Sequence, residues 1–169
     1  MSSVQLNHDT TPFKPKTFPI TVVCENVTNA PNIGSLFRIA DAFGVTELIF
    51  CGSNIPLGRK MMKTSRSTEK VVRYQLCDNA SEVVKQLKAQ QYCIISLEIT
   101  NESTPIHHYK FPTNQPIALI IGDENFGVSE TSLKESTAAV HITMFGQNSS
   151  MNVVQATNIA LYEITKQLL

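Results

Sequence analysis

The sequence predicts a single α/β domain: a parallel sheet with helices on both faces. Three observations predict it. Strand-like and helix-like signals alternate from residue 20 to the carboxyl end, the order that builds βαβ units. Several strand runs are nearly all apolar, as in Ile117-Ala-Leu-Ile-Ile121, which suits strands covered on both faces. The length, 169 residues, is that of one domain and buries most of the surface an unfolded chain exposes. No internal repeat or linker divides it.

Residues 1–19 are polar, carry Pro12, Pro15 and Pro19, and show no periodicity. They read as an arm before a domain over 20–169. Strands are expected at 20–24, 47–51, 71–76, 92–97, 117–121 and 139–142, and helices at 33–43, 79–90, 129–136 and 152–168, from their periodicities. For the first helix Asn32 is the expected N-cap and Gly44 the C′ residue. Ile33, Leu36, Phe37, Ala40 and Phe43 form its buried stripe. At about 100° per residue, Arg38 lies roughly 140° from Ile33, off that stripe. On an isolated helix it would pair with Asp41 at i,i+3. The last helix carries a broad apolar face of Val153, Ala156, Ile159, Ala160 and Ile164.

With 17% charged and 42% hydrophobic residues the chain is a compact globule, not a disordered one. No run approaches the roughly 18 apolar residues of a membrane span, and the amino terminus lacks the order of a signal peptide. The Asn-x-Ser/Thr triplets at Asn26, Asn101 and Asn148 then carry no sugar. Cys24, Cys51, Cys77 and Cys93 lie in or beside strand runs without C-x-x-C spacing. They read as buried reduced thiols in a cytoplasmic protein. The net charge is zero, but Arg59, Lys60, Lys63, Arg66, Lys70 and Arg73 cluster against Glu69 alone, and Lys14 and Lys16 mark the arm. This stretch is either a solvated loop or a grip on phosphates.

Three distant segments place glycine or small polar residues beside apolar runs: Asn32-Ile-Gly-Ser-Leu-Phe-Arg38, Gly122-Asp-Glu-Asn-Phe-Gly127 and Ser149-Ser-Met-Asn-Val153. Ligands of open α/β sheets gather at the carboxyl ends of strands, so these read as three walls of one site. Other sites are disfavoured. Gly122-x-x-x-x-Gly127 is followed by Val128-Ser129 where a phosphate loop needs lysine. No G-x-G-x-x-G follows the first strand. No His/Cys/carboxylate cluster has metal spacing, so no metal is expected. His107-His108 reads as a solvated pair, and no G-x-S-x-G elbow is present.

The motifs Asn32-x-Gly34-x-x-x-Arg38-x-Ala40-Asp41-Ala42, Ala118 through Ser129, and Ile142-Thr-Met144 leading to Ser150-Met-Asn-Val153 and Leu161-Tyr-Glu163 resemble those of the SpoU/TrmH RNA 2′-O-ribose methyltransferases, a branch of the SPOUT superfamily. Lys63-Thr-Ser65 through Glu69-Lys70 resembles a family segment as well. The resemblance runs from about residue 20 to the carboxyl end, in the family's order. It implies a carboxyl-terminal deep trefoil knot, an exception to the rule against threaded chains. It further implies S-adenosylmethionine as cofactor, a homodimer and an RNA substrate, with tRNA favoured over rRNA.

By the same resemblance, Arg38, Asn32, Glu124, Ser150 and Asn152 are the catalytic set. Leu97, Glu98, Gly122, Gly127, Ile142, Met144, Ser150 and Met151 would hold the cofactor. Arg59, Lys60, Lys63 and Arg66 would contact RNA. The implied reaction is attack of a ribose 2′-hydroxyl on the methyl carbon of a sulfonium, with Arg38 stabilising the developing oxyanion. An arginine holds its proton too firmly to act as a base. Asn32 would orient Arg38. Taken alone, the residues leave other roles open: N-caps for Asn32, Ser150 and Asn152, and a helix cap or a polar wall for Glu124. A retired enzyme that binds RNA on the same fold is the rival reading, against which the intact Arg38, Asn32 and Asn152 count.

Overall fold

A computed structural model describes residues 3–7 and 10–169. Of the expected arm, residues 1, 2, 8 and 9 lie outside the described residues. Among the described residues seven strands form one all-parallel sheet: β1 (Phe18–Glu25), β2 (Val45–Cys51), β3 (Tyr74–Cys77), β4 (Cys93–Leu97), β5 (Thr104–Pro105), β6 (Ile117–Gly122) and β7 (Ala138–His141), in the order β3-β2-β1-β6-β4-β7-β5. The α-helices of the described residues are α1 (Ala30–Ala42), α2 (Arg59–Ser65), α3 (Ala80–Ala89), α4 (Glu130–Glu135) and α5 (Val153–Leu168). Among the described residues no helix is long and apolar enough to cross a membrane.

The strands' all-apolar character has the expected cause. Along β1, Ile20, Val22 and Cys24 face a core with α1 and α5, while Val23 faces a second core with α3. Each face needs its own helices because alternate side chains leave on opposite sides. Ile33, Leu36, Phe37 and Ala40 are the buried stripe of α1, as their spacing predicts, and Phe43 packs half-buried at its end. On α5 the stripe narrows: Val153, Ala160 and Ile164 are buried, whereas Ile159 is 39% exposed.

The start of α1 differs from expectation. Asn29, not Asn32, is the N-cap, and its side chain accepts from the Asn32 amide at 3.1 Å. Pro31 sits in the first turn, where its missing N–H costs no hydrogen bond. The side chain of Asn32 is thereby released from capping.

The basic stretch also differs. Arg59–Ser65 is helix α2, and Arg66 caps it in the left-handed region at φ 53°. A 3-10 turn at Thr68–Lys70 follows, so β3 begins at Tyr74 rather than at 71. Too short for an apolar stripe, α2 is held by its neighbour. A Cβ on Gly34 of α1 would lie 2.0 Å from Thr64 Oγ1 and 2.2 Å from the Met61 carbonyl oxygen. Only glycine permits that approach. Thr64 Oγ1 donates to the Pro31 carbonyl at 3.0 Å. The same helix thus carries Asn32 towards one surface and anchors the basic helix on another.

Candidate active site

A cleft of about 370 Å³ opens at the carboxyl ends of β4, β6 and β7, which lie side by side in the sheet. This is where an open α/β sheet leaves room for ligands. Its apolar lining includes Leu97, Ile121, Ile142, Met144, Met151 and Val153. Its polar lining includes Glu98, Asp123, Glu124, His141, Ser149 and Ser150. Among the described residues three carboxylates stand there and no lysine or arginine. Such a wall attracts a cationic ligand and repels a phosphate.

The loop after β6 explains its glycines internally. A Cβ on Gly122 would fall 2.1 Å from the Gly127 carbonyl carbon, and one on Gly127, at φ +66°, would fall 2.3 Å from Glu98 Oε2. The loop closes on itself, with Gly127 N–H donating to the Asp123 carbonyl at 2.8 Å. Asp123 Oδ1 accepts from the Asn125 and Phe126 amides at 2.8 and 3.3 Å. Both glycines line the cleft, yet their small size is required by backbone and carboxylate rather than by a ligand. Glu98 ties the loop to β4: Oε2 accepts from Val128 N–H and Oε1 from Ile99 N–H, both at 2.9 Å. Buried Glu25 accepts from the Ser129 amide at 3.2 Å, which joins the end of β1 to the N-cap of α4.

A chain of hydrogen bonds joins the three segments. Asn152 Nδ2 donates to Asn32 Oδ1 at 3.3 Å, and Asn32 Nδ2 donates to Glu124 Oε1. Asn152 is also the N-cap of α5, where its Oδ1 accepts from Val154 and Gln155 amides at 3.0 and 3.4 Å. The capping and site roles read as alternatives for Asn152 are therefore combined in one side chain. Glu124 caps no helix, since the N-cap of α4 is Ser129. Ser150 lines the cleft and, among the described residues, bonds only to Asn148 Oδ1, through its amide at 3.3 Å and its hydroxyl at 3.4 Å.

Arg38 stands apart. It is exposed, lines no part of the cleft, and among the described residues makes no hydrogen bond or ion pair, neither to Asp41 nor to Asn32. The expectation that Asn32 orients Arg38 finds no hydrogen bond behind it, because Asn32's amide is committed to Glu124 and Asn152. Arg59, Lys60, Lys63 and Arg66 are all exposed, and none enters an ion pair among the described residues. The cysteines are free; Cys24, Cys51 and Cys93 are buried and Cys77 half-buried. Burial, helped by Cys77 and Glu25, pushes the Cys51 thiol up to about 12. Such a thiol is a packing group, not a nucleophile.

Two residues beside the cleft were missed: His141, and Ser103, which contacts it at 2.9 Å. A single polar residue closing the apolar run Ala138-Ala-Val-His141 was the available signal.

The arrangement has known counterparts. A tRNA (guanosine(18)-2′-O)-methyltransferase of Aquifex aeolicus is 26% identical over 148 residues, 88% of this chain and 69% of the relative. A 23S rRNA (guanosine-2′-O-)-methyltransferase of Neisseria meningitidis is 27% identical over 150 residues, 88% of this chain and 59% of the relative. Among solved structures, the SpoU methyltransferase AviRb from Streptomyces viridochromogenes, in complex with the cofactor AdoMet, superposes with a TM-score of 0.79 at 24% identity, over 95% of this chain and 64% of that one. The two share the fold. The pattern of the SpoU rRNA Methylase family matches residues 19–162, and with that span the chain belongs to this family.

Proposed function

We propose that the chain is an S-adenosylmethionine-dependent methyltransferase acting on a ribose 2′-hydroxyl of RNA, with tRNA the favoured substrate. One observation carries the reading: the Asn152–Asn32–Glu124 chain ties all three motif segments together beside a cleft of carboxylates without a lysine or arginine. The residues present fit the cofactor, whose sulfonium and ammonium are cationic and whose nucleoside bears no phosphate. When bound, it supplies an electrophilic methyl group and a neutral leaving group.

The chain's own part is positioning and electrostatics. Asn32, Glu124 and Asn152 hold three loops in one register. Ser150, Met151, Ile142, Met144, Leu97, Glu98, Gly122 and Gly127 would enclose the cofactor. Arg38, unengaged on its helix face, is available to stabilise the 2′-oxyanion and a neighbouring phosphate while keeping its own proton. Arg59, Lys60, Lys63 and Arg66 would grip the RNA backbone.

On this reading residues 20–169 are the methyltransferase domain and 1–19 its arm, except that Phe18 and Pro19 already belong to β1. The loops after β6 and β7 close a trefoil knot, and two chains pair through α1 and α5, where Ile159 and Tyr162 of α5 offer exposed apolar surface. Free cysteines accord with a cytoplasmic site. A ribosomal substrate is the second reading, favoured by the Neisseria meningitidis relative.

Calorimetry with S-adenosylmethionine tests the cofactor; absence of saturable binding sinks the proposal. Transfer of labelled methyl to total RNA, with Arg38→Ala as control, separates an enzyme from a retired RNA-binding protein. Nucleoside mass spectrometry of tRNA and rRNA from a strain lacking the gene then decides the substrate by the one missing 2′-O-methyl mark.

A further inference from the structure

His141 is the one basic residue among the described residues that line the cleft, and the contacts of Ser103 locate the proton of its ring. Ser103 Oγ stands amid three contacts. It donates to the Thr100 carbonyl oxygen at 2.8 Å, accepts from Thr100 N–H at 2.9 Å, and lies 2.9 Å from His141 Nδ1. A serine hydroxyl has one proton. With that proton given to Thr100, the contact to His141 is a hydrogen bond only if Nδ1 carries hydrogen and donates it. The reverse assignment leaves two oxygens 2.8 Å apart with no proton between them. In a neutral imidazole, a protonated Nδ1 leaves Nε2 as an acceptor. No described residue donates to Nε2. The lock belongs to the sheet's edge, since Ser103 directly precedes β5 and Pro105 of β5 is the register partner of His141.

We propose that His141 Nε2 accepts a hydrogen bond from a neutral donor on the nucleoside half of the cofactor, the adenine amine or a ribose hydroxyl, and that Ser103 is the positioning residue that fixes the tautomer. This rests on the adenosylmethionine reading. The carboxylates in the wall suit the cofactor's cationic groups, and both oxygens of Glu98 already accept backbone N–H groups. Asn125, Ser149 and Ser150 are further neutral polar residues of the wall, but their side chains can donate as well as accept, whereas His141 Nε2 is fixed as an acceptor through Nδ1. A neutral acceptor matches a neutral donor without burying a charge. An Nε2–H in its place would leave donor facing donor.

The test uses the full chain and S-adenosylhomocysteine, followed by calorimetry and by nitrogen NMR of isotope-labelled histidine. In the free protein His141 should show a protonated Nδ1 and a bare Nε2 whose resonance moves when the ligand is added. His141→Phe keeps a ring and removes the acceptor, and should weaken binding about tenfold. His141→Gln, whose amide oxygen can accept, should recover most of the loss. Ser103→Ala should mix the tautomers and weaken binding about threefold. S-inosylhomocysteine, with a carbonyl in place of the amine, identifies the donor. If the amine bonds His141, His141→Phe costs nothing further with this ligand; if a hydroxyl does, the full tenfold loss persists.

Wild-type affinity in a natively folded His141→Phe protein overturns the role of His141, as does a bare Nδ1 in the free wild type. Should His141→Phe not fold, the tautomer and affinity of Ser103→Ala decide. A wild-type chain that binds no S-adenosylhomocysteine overturns the methyltransferase reading and this role with it. Wild-type binding that both variants retain overturns this role alone.

Discussion

The cleft wall and helix α2 differ in charge as far as two regions of one small domain can. Glu98, Asp123 and Glu124 line the cleft without a lysine or arginine. Arg59, Lys60 and Lys63 of α2, with Arg66 at its cap, face solvent without a carboxylate in the helix. Both regions hang on the first turns of α1: Asn32 binds the cleft's Glu124, and Gly34 admits α2. A net charge of zero therefore conceals two opposed surfaces, one suited to a cation and one to a polyanion. Net charge is a poor guide to partners where the charges are segregated in this way.

The largest expected effect breaks the joint between these regions. Asn32→Ala removes the middle of the chain from Asn152 to Glu124 and frees the loops it aligns. Methyl transfer should fall about 100-fold, the usual result of a small misplacement in a reacting pair. Asn29→Ala supplies the contrast, because Asn29 is the true N-cap. It should cost about 1 kcal/mol in urea unfolding and leave the rate per folded enzyme unchanged. If Asn32→Ala loses stability and keeps its rate, the hydrogen-bond chain is scaffolding only.

Next comes neutralisation of Lys60, Lys63 and Arg66 together. RNA affinity should drop on the order of tenfold. The slope of log affinity against log salt should flatten by about 0.7 for each phosphate left unneutralised on a single strand, and by somewhat more on a duplex. Binding of S-adenosylmethionine should not change, since none of the three lines the cleft. An unaltered salt slope would make α2 a solvated helix. Altered cofactor affinity would deny that the two regions are separate.

A smaller effect probes the cleft's charge. Glu124→Gln keeps an oxygen to accept from Asn32 and removes one negative charge. S-adenosylmethionine, a sulfonium, should bind about threefold more weakly, while S-adenosylhomocysteine, with a neutral sulfur, should change less, as befits an exposed charge. Equal losses for both ligands in calorimetry would mean that Glu124 acts through shape or hydrogen bonding instead.

Much of this was legible in the sequence, and the failures have physical causes. The three segments were recognisable because glycine and asparagine beside apolar strands are local signals. Their hydrogen bonds were not, because Asn32 meets Glu124 across 92 positions and Asn152 across 120. Asn29 and Asn32 are both competent caps; Pro31, which favours a first turn, was the clue that separates them. Helix α2 was invisible because it buries only Met61 and Ser65 and forms against Gly34 rather than from its own pattern. Val71-Val72 read as strand, yet Val72 is buried in a turn and Val71 is 70% exposed. Strand β5 has two residues, too few for any periodicity.

The smallest effect concerns Glu69, the single carboxylate within the basic stretch. The hydrogen bond from the Ser65 hydroxyl, more than the charge of Lys70, holds its carboxyl below the ordinary value. A carboxyl depressed in the folded state adds stability at pH values above its unfolded pKa. That contribution is lost as pH falls through the lower folded value. Glu69→Gln should therefore slightly lower stability at neutral pH, leave strongly acid pH nearly untouched, and so flatten the acid limb of the stability curve. The same change removes the charge that opposes phosphates beside Arg66 and Lys70, so RNA affinity should rise about twofold at low salt and less as salt screens the site. Filter binding at two ionic strengths checks it. A fall in affinity would mean that Glu69 supports the shape of the α2 surface more than it dilutes the surface's charge.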